Sequence, residues 1–152
     1  MLIFDELDRK ILTQLQRNTD LPLEEIAQRV GLSRNAVWRR IKILEESGII
    51  DRRVAILNAE KLDLGLSVFI LIRTVSHDPK WLDSFAKATR TMPEIQGAYR
   101  MTGELDYLVR ARVANVAAYD SLYQRLIRKV EMSDVSASFV MEEIKDTTEL
   151  AI

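Results

Sequence analysis

Apolar residues in the first third of the chain recur every three or four positions, which is the period of a helix with one buried face. Leu7, Ile11 and Leu15 predict a first helix, and Asp5 stands where it caps the N-terminus of that helix. Two more helices are predicted at about 23–30 and 33–47. The beginning of the chain is therefore expected to be helical.

The connection between the second and third predicted helices is very short. Only Gly31 and Leu32 lie between them, and Ser33 is suited to cap the third helix. Helices joined so tightly cross at a steep angle, as in a helix-turn-helix. The segment Ile49 to Leu57 is rich in β-branched residues and predicts a short two-stranded wing, and residues 58–65 are typical of a linker.

From residue 66 onward, strands alternate with helices. Leu66 to Thr74 is apolar on both faces, which predicts a strand covered on both sides. Helices are predicted at 81–90 and 116–130, and further strands at 95–102, 107–113 and 135–141. This β-α-β-β-α-β order is ferredoxin-like, and its two helices cover only one face of the sheet. We therefore expect a second subunit on the other face, in at least a homodimer.

The predicted fold class is α+β. A winged helix-turn-helix domain is expected at residues 1–57, a linker at 58–65, and a ferredoxin-like βαββαβ domain at 66–152.

The composition of the chain mainly excludes certain classes of site and location. The 152 residues include 22 basic and 23 acidic side chains, so the net charge of −1 neither favours nor disfavours a nucleic-acid partner. The absence of cysteine excludes disulfides and thiolate metal sites and suits a reducing compartment. Asp5 and Glu6 interrupt any signal-peptide core, and the longest apolar run, Val68 to Ile72, is too short to span a membrane. The sequence predicts a cytoplasmic protein without a membrane partner.

The third predicted helix carries the main candidate chemistry. Val37, Ile41 and Leu44 share its inner face, and its N-terminal half is basic, bears an amide and contains no acid. Such a helix suits the major groove of duplex DNA, where arginine pairs with guanine and asparagine with adenine. The candidate contacts are Ser33, Arg34, Asn35, Trp38, Arg39, Arg40 and Lys42, with Arg52 and Arg53 from the wing as phosphate contacts.

Several alternatives stay open for this surface. Charged helix faces are commonly just solvated. Arg40 lies close to the core side and has an acidic partner as its alternative. Trp38 either contacts the DNA backbone or supports the helix against its own domain.

Enzymatic chemistry finds little support in the sequence. His77 is the only histidine, and the chain has neither a cysteine nucleophile nor a glycine-rich phosphate loop. Glu142 and Glu143 are adjacent on a predicted strand, so their side chains point to opposite faces. We expect no catalytic residues, no metal site and no cofactor.

Two separate motifs resemble one family. Residues 23–33, 37–45 and 48–50 resemble the DNA-binding domain of the Lrp/AsnC family of "feast/famine" regulators. Thr102 to Leu108 resembles its Gly-x-x-Asp turn, and Phe139 to Lys145 its closing strand. The segment Ile144 to Thr148 and Trp38 resemble the branch that includes a cysteine-responsive regulator.

The resemblance implies a sequence-specific transcriptional regulator in a bacterium or archaeon. It further implies dimers formed through the sheets, octamers formed from dimers, and an amino-acid effector bound between dimers near the Gly-x-x-Asp turn. The implied effector contacts are Met101, Thr102, Gly103, Glu104, Asp106, Ser138 and Phe139. Two alternatives remain: the turn is only a hairpin turn, or the protein is an architectural DNA-binding protein without an effector.

Overall fold

The structure, a computed structural model, describes residues 5–74 and 78–152. The chain divides into two compact units. The first unit comprises the residues up to Ile56 together with a C-terminal tail, residues 145–152, and the second comprises residues 57–144. His77, the only histidine in the sequence, lies outside the described residues.

The first unit is built from three helices, α1 (Glu6–Leu15), α2 (Leu23–Val30) and α3 (Arg34–Glu46). Asp5 caps α1 in a reciprocal arrangement, in which its side chain accepts from the Asp8 N–H and its own N–H donates to the Asp8 carboxylate. One apolar core joins all three helices. Its buried members are Ile11, Leu15, Ile26, Ala27, Val30, Val37 and Ile41.

The predicted wing is not formed as two paired strands. Residues 51–58 have no regular secondary structure, and the side chains of Val54 and Ile56 are largely exposed. The β-branched residues favour an extended backbone, but a strand also needs a hydrogen-bonding neighbour, and no described part of this chain supplies one. The predicted linker contains a single turn of 3-10 helix, Glu60–Leu62.

The second unit follows the predicted βαββαβ order. Its elements are β1 (Leu66–Arg73), α4 (Pro79–Arg90), β2 (Ile95–Arg100), β3 (Tyr107–Val113), α5 (Val116–Ile127) and β4 (Asp134–Phe139). The sheet has the order β2-β3-β1-β4, and every neighbouring pair is antiparallel. The structure thus confirms an α+β protein whose second half is a four-stranded antiparallel sheet with two helices.

The core of the second unit lies between the helices and one face of the sheet. Val68, Ile70 and Ile72 of β1 are fully buried there, packed with Leu122 and Leu126 of α5. Trp81 of α4 stacks on Phe85 with ring centroids 5.2 Å apart, and Tyr107 of β3 completes this aromatic cluster. The helices therefore cover one face only, as the order of elements predicts.

We call the other side of the sheet its open face. Half-buried apolar and basic side chains meet there, because the register pairs Phe69 with Arg110 and Leu71 with Leu108. Its further members are Tyr99, Arg112, Ser136 and Ser138. The Nε atom of Arg110 is buried and has no hydrogen-bond partner among the described residues.

The C-terminal tail packs with the first unit. The second domain is predicted to run to residue 152, and in the structure residues 145–152 of this segment are grouped with the helices of the first unit. Gln16 and Arg17 at the end of α1 bind Leu150 and Glu149, respectively, and this explains the grouping.

Within residues 5–74 and 78–152, no helix has the length and apolar character needed to cross a membrane.

Candidate functional site

Helix α3 begins at a sharply defined point. Gly31 ends α2 in the left-handed conformation, with φ of 73°, which glycine adopts without steric cost. Ser33 then caps α3, its hydroxyl oxygen accepting from the Ala36 N–H at 3.2 Å. This cap, predicted from the sequence, fixes the N-terminus of α3 in an exposed position.

The outer face of α3 is exposed as the helical wheel predicts. Val37, Ile41 and Leu44 are buried on the inner side. The outward side chains are those of Asn35, Trp38, Arg39 and Lys42, and Trp38 is 53% exposed. Four of the predicted DNA contacts are therefore brought together on one accessible surface, which we call the α3 face.

Ion pairs distinguish the cations around the α3 face. Arg34 Nε lies 2.6 Å from Glu24 of α2, and Lys42 Nζ lies 3.0 Å from Glu45. In the part of the chain that the structure describes, no acidic side chain pairs with Arg39. The Arg39 guanidinium is consequently available to a ligand without first breaking an ion pair.

Glu45 links the far end of α3 to the segment that follows. Its carboxylate accepts from Lys42 and, at 2.8 Å, from Arg53. The hydrogen bond from Lys42, followed by the charges of both cations, holds the pKa of Glu45 below its usual value. Arg52, in contrast, is 78% exposed at its side chain and lies 3.8 Å from Asp51.

Arg40 does not lie on the α3 face. Its Nη1 atom donates to Asp5 at 2.9 Å and to Asp8 at 2.8 Å, and its side chain is only 26% exposed. The hydrogen bonds from Arg40 to Asp8 and Asp5 raise the pKa of the guanidinium further. Arg40 therefore fastens α3 to the N-terminus of α1, which corrects its inclusion among the predicted DNA contacts and realises the alternative acidic partner.

The Gly-x-x-Asp segment, residues 101–106, forms an exposed turn between β2 and β3, which we call the Gly103 turn. Gly103 has φ of 105°, and a side chain added there would meet no atom within 4 Å. Its backbone is therefore open to close approach by a small molecule.

Asp106 holds the Gly103 turn against the end of β1. Its carboxylate accepts from the Thr74 N–H at 2.9 Å, and its own N–H donates to the Ile72 carbonyl at 3.1 Å. Its carbonyl accepts from Met101, so that both ends of the turn are joined at 2.9 Å. Asp106 thus orients the turn, whereas the side chain of Glu104 is 94% exposed.

Arg73 is a neighbour of the turn that was not predicted as a site residue. Its Nε atom donates to the Glu104 carbonyl at 3.0 Å, and its Nη1 atom lies 3.6 Å from Asp134 of β4. In the sequence, Arg73 is simply the charged residue that ends an apolar strand, and nothing in that pattern indicates a contact with the turn. The strand order was the available signal, since it places the end of β1 between the turn and the start of β4.

Ser138 and Phe139 do not join the Gly103 turn within one chain. Antiparallel pairing places the start of β4 beside Arg73 at the end of β1, and Ser138 pairs with Phe69 further along β1. Phe139 lies on the helix side, where its ring contacts Tyr119 edge-on with centroids 5.2 Å apart. A single site that uses both the turn and these two residues requires more than one subunit.

Metal chemistry finds no support in the geometry. Among the described residues, no three His, Cys, Asp or Glu side chains are grouped so that they could hold a metal ion.

Comparisons with known proteins agree with both halves of this architecture. Residues 4–51 match the family described as "Winged helix-turn-helix DNA-binding", and residues 67–150 match the "Lrp/AsnC ligand binding domain". The chain is 44% identical over 151 residues to the DNA-binding transcriptional activator DecR of Escherichia coli, covering 99% of each protein. It is 43% identical over 148 residues to a glutamate uptake regulatory protein of Zymomonas mobilis, covering 97% of this chain and 90% of that one.

Solved structures show the same fold. An AsnC family transcriptional regulator from Agrobacterium tumefaciens is 48% identical, with a TM-score of 0.94 and 97% of each chain covered. A transcriptional regulator from Neisseria meningitidis, solved as an L-Met complex, is 35% identical, with a TM-score of 0.93 and coverage of 98% of this chain and 97% of that one. These relatives are transcription regulators and not enzymes. The chain belongs to the Lrp/AsnC family and is a DNA-binding transcriptional regulator with a ligand-binding domain.

Proposed function

We propose that the α3 face recognises a specific operator sequence in the major groove. The observation that carries this proposal is the exposed Arg39 guanidinium, which has no acidic partner among the described residues and lies on the same face as Asn35. Arg39 is suited to a bidentate contact with guanine, and Asn35 to adenine.

The surrounding side chains are assigned to the DNA backbone. Such contacts fix the position of a protein on the duplex without selecting bases. This proposed set comprises Ser33, Arg34, Trp38, Lys42, Arg52 and Arg53, and it omits Arg40. The exposed pairs of Arg34 with Glu24 and Lys42 with Glu45 contribute little stability in water, so phosphate replaces the carboxylates at small cost.

The ligand of the second unit is proposed to be an amino acid that binds at the Gly103 turn. The Neisseria relative was solved with L-Met, and so was a feast or famine regulatory protein from M. tuberculosis that is 26% identical. Buried ammonium and carboxylate groups each need a partner. The backbone N–H groups near Gly103 suit the carboxylate, and Glu104 or Asp106 suits the ammonium. Resemblance to the cysteine-responsive branch makes cysteine the first candidate beside methionine.

The open face of the sheet suggests how subunits assemble. We assign the open face to a homodimer contact, because its apolar side chains need cover and the buried Nε atom of Arg110 lacks a hydrogen-bond partner within the described chain. Pairing of dimers into octamers brings Ser138 and Phe139 of other subunits toward the Gly103 turn. Two DNA-binding units per dimer imply a roughly palindromic operator. We place this regulator in the cytoplasm, where it has access to DNA.

Operator selection from randomised duplexes tests DNA recognition. We expect Arg39→Ala to cost about 1–3 kcal/mol on the best operator and to relax base preference at one position of each half-site. The matched control is Arg128→Ala, which removes an exposed arginine from the second unit. An equal loss on every duplex would assign Arg39 to a phosphate and contradict base recognition.

A DNA titration with and without amino acids tests the ligand. Asp106→Asn keeps an oxygen that accepts from Thr74 but removes the charge, whereas Asp106→Ala removes both. If the charge meets the ammonium, both variants lose the response to the best amino acid, and if Asp106 only orients the turn, the Asn variant retains it. If no amino acid changes the DNA affinity or assembly of the unmodified protein, an architectural role without an effector replaces this proposal.

A further inference from the structure

The C-terminal tail is held to α1 by an unusually specific pair of hydrogen bonds. The Gln16 Nε2 group donates to the Leu150 carbonyl at 2.9 Å, and the Leu150 N–H donates to Gln16 Oε1 at 2.9 Å. One side-chain amide thereby satisfies both backbone groups of one residue, as a neighbouring strand does. Arg17 Nε adds an ion pair with Glu149 at 3.1 Å. These contacts fix the register of the tail on the end of α1.

The tail closes on α1 through polar contacts and buries little apolar surface. Leu150 remains 72% exposed, and the Arg17 and Glu149 side chains are 61% and 41% exposed. Exposed ion pairs and single hydrogen bonds each contribute weakly, while ordering a chain segment costs conformational entropy. The stabilisation from these contacts and the entropy cost of ordering the tail are therefore expected to be similar. We expect the free energies of the closed tail and the free tail to differ little.

The tail is connected to both units, so its opening and closing can affect each of them. Only residues 140–144 separate the tail from the end of β4, and β4 begins at Asp134 beside Arg73, which itself donates to the Glu104 carbonyl of the Gly103 turn. At its other end, the tail binds the helix whose N-terminus is fastened to α3 through Arg40. Besides the linker, the tail is thus a second covalent path between the ligand-binding unit and the DNA-binding unit.

We propose that the tail is a reversible latch that transmits the ligand state of the second unit to α1 and, through it, to α3. The latch itself is defined by the contacts of Gln16 and Arg17, and its regulatory role rests on the amino-acid response proposed above. A ligand that displaces β4 changes the tension on residues 140–144 and hence the fraction of closed tail. Such a ligand acts only by its different affinity for the two states.

The latch is tested first without ligand, by amide exchange measured by NMR on the full chain. Gln16→Ala removes both hydrogen bonds, so the Leu150 amide is expected to exchange about fivefold faster. The matched control is Gln14→Ala on α1, whose side chain accepts from Arg29, whereas the hydrogen bonds between the described tail and the end of α1 are made by Gln16 and Arg17. Added salt, which screens Arg17 and Glu149, is expected to speed exchange in the unmodified protein. An unchanged Leu150 exchange rate in Gln16→Ala would overturn the latch.

The regulatory role is tested by titrating operator DNA with and without methionine or cysteine. Gln16→Ala is expected to lose most of the amino-acid response while its affinity without ligand changes less than about threefold, because the two hydrogen bonds that it removes are exposed and each contributes weakly. Gln14→Ala is expected to respond like the unmodified protein. A full response in Gln16→Ala overturns transmission through the tail. If the unmodified protein responds to neither amino acid nor to any other, the ligand proposal fails together with the regulatory role, whereas the exchange experiment still decides whether the latch exists.

Discussion

Arg39 and Arg40 are chemically identical neighbours on α3 with opposite surroundings. One helical step of about 100° carries the second guanidinium from the solvent to the N-terminus of α1. There Arg40 meets Asp5 and Asp8 at 2.9 and 2.8 Å, whereas Arg39 remains exposed. At the scale of single residues, charge alone therefore does not assign an arginine to DNA, and the angle on the helix decides.

Replacing Arg40 is predicted to destabilise the first unit. Arg40→Ala removes two charge-assisted hydrogen bonds and leaves Asp8, which is 14% exposed at its side chain, without its cation. We expect a loss of about 1–3 kcal/mol in the free energy of unfolding, measured by denaturant titration. Arg39→Ala is the matched control and is expected to leave stability within about 0.5 kcal/mol, as surface substitutions usually do. Equal stability losses in both variants would contradict the anchoring role.

The wheel angle of Arg40 was visible in the sequence, but its partners were not. The inner face of α3 was predicted correctly from Val37, Ile41 and Leu44, because burial follows the period of the helix. Asp5 and Asp8 lie more than thirty positions earlier in the chain, and only the packing of α1 on α3 brings them to Arg40. Arg73 was missed for the same reason, because its contacts with the Gly103 turn depend on the strand order and not on neighbouring sequence.

At the scale of elements, the N-terminus of α1 combines two tasks. Asp5 and Asp8 cap the helix reciprocally and also receive Arg40 from α3. The hydrogen bond from the Asp8 N–H lowers the pKa of Asp5 most, and the contact with Arg40 lowers it further. Protonation of Asp5 therefore weakens the cap and the contact between helices together.

Acid is predicted to destabilise the first unit through Asp5. Its pKa in the folded protein is below the ordinary value of 3.8, so its stabilising contribution is complete above that value and is lost as the pH falls through the lowered pKa. Asp5→Asn retains a capping oxygen but does not titrate. We expect the melting temperature of this variant to fall less steeply below about pH 4 than that of the unmodified protein. Asp51→Asn, which removes an exposed charge elsewhere in the unit, should keep the original slope, and identical slopes for all three proteins would refute the assignment.

Elements whose partners lie within the chain were predictable, whereas the strand pairing expected for residues 49–57 was not. The alternation in β3, where Tyr107, Val109 and Ala111 are buried, gave the sheet because β1 and β2 are present on either side. Residues 49–57 have a similar β-branched composition but no neighbouring strand in the described chain. Composition favours an extended backbone, and pairing decides whether that backbone becomes a strand.

At the scale of the whole molecule, the open face is a partly apolar surface that the described residues of one chain leave uncovered. Leu71 and Leu108 are half-buried on the two central strands, and Arg110 stands beside them with an Nε atom that lacks a partner in the described residues. Facing sheets of two subunits would bury these apolar side chains and supply further hydrogen-bond acceptors.

Leu71→Glu is predicted to disrupt the dimer. The substitution places a charge at the centre of the proposed contact, where desolvation without a partner is costly. We expect light scattering at micromolar concentration to give the mass of a monomer, with weakened operator binding because paired half-sites are no longer bound together. Ile127→Glu is the control, since Ile127 is 37% exposed on α5, away from the open face. A Leu71→Glu protein that remains dimeric would exclude the open face as the contact.

The two tryptophans of the sequence divide between the two units. Trp38 is 53% exposed on the α3 face, while Trp81 is stacked against Phe85 in the core of the second unit. An indole in water and an indole in an aromatic cluster emit at different wavelengths and differ in their access to soluble quenchers. The protein therefore carries its own pair of optical probes, and Trp81→Phe leaves only the indole of the α3 face, whose emission tests the proposed DNA contact. If the α3 face binds the operator as proposed, the fluorescence of unlabelled protein follows operator binding through Trp38 and the unfolding of the ligand-binding unit through Trp81.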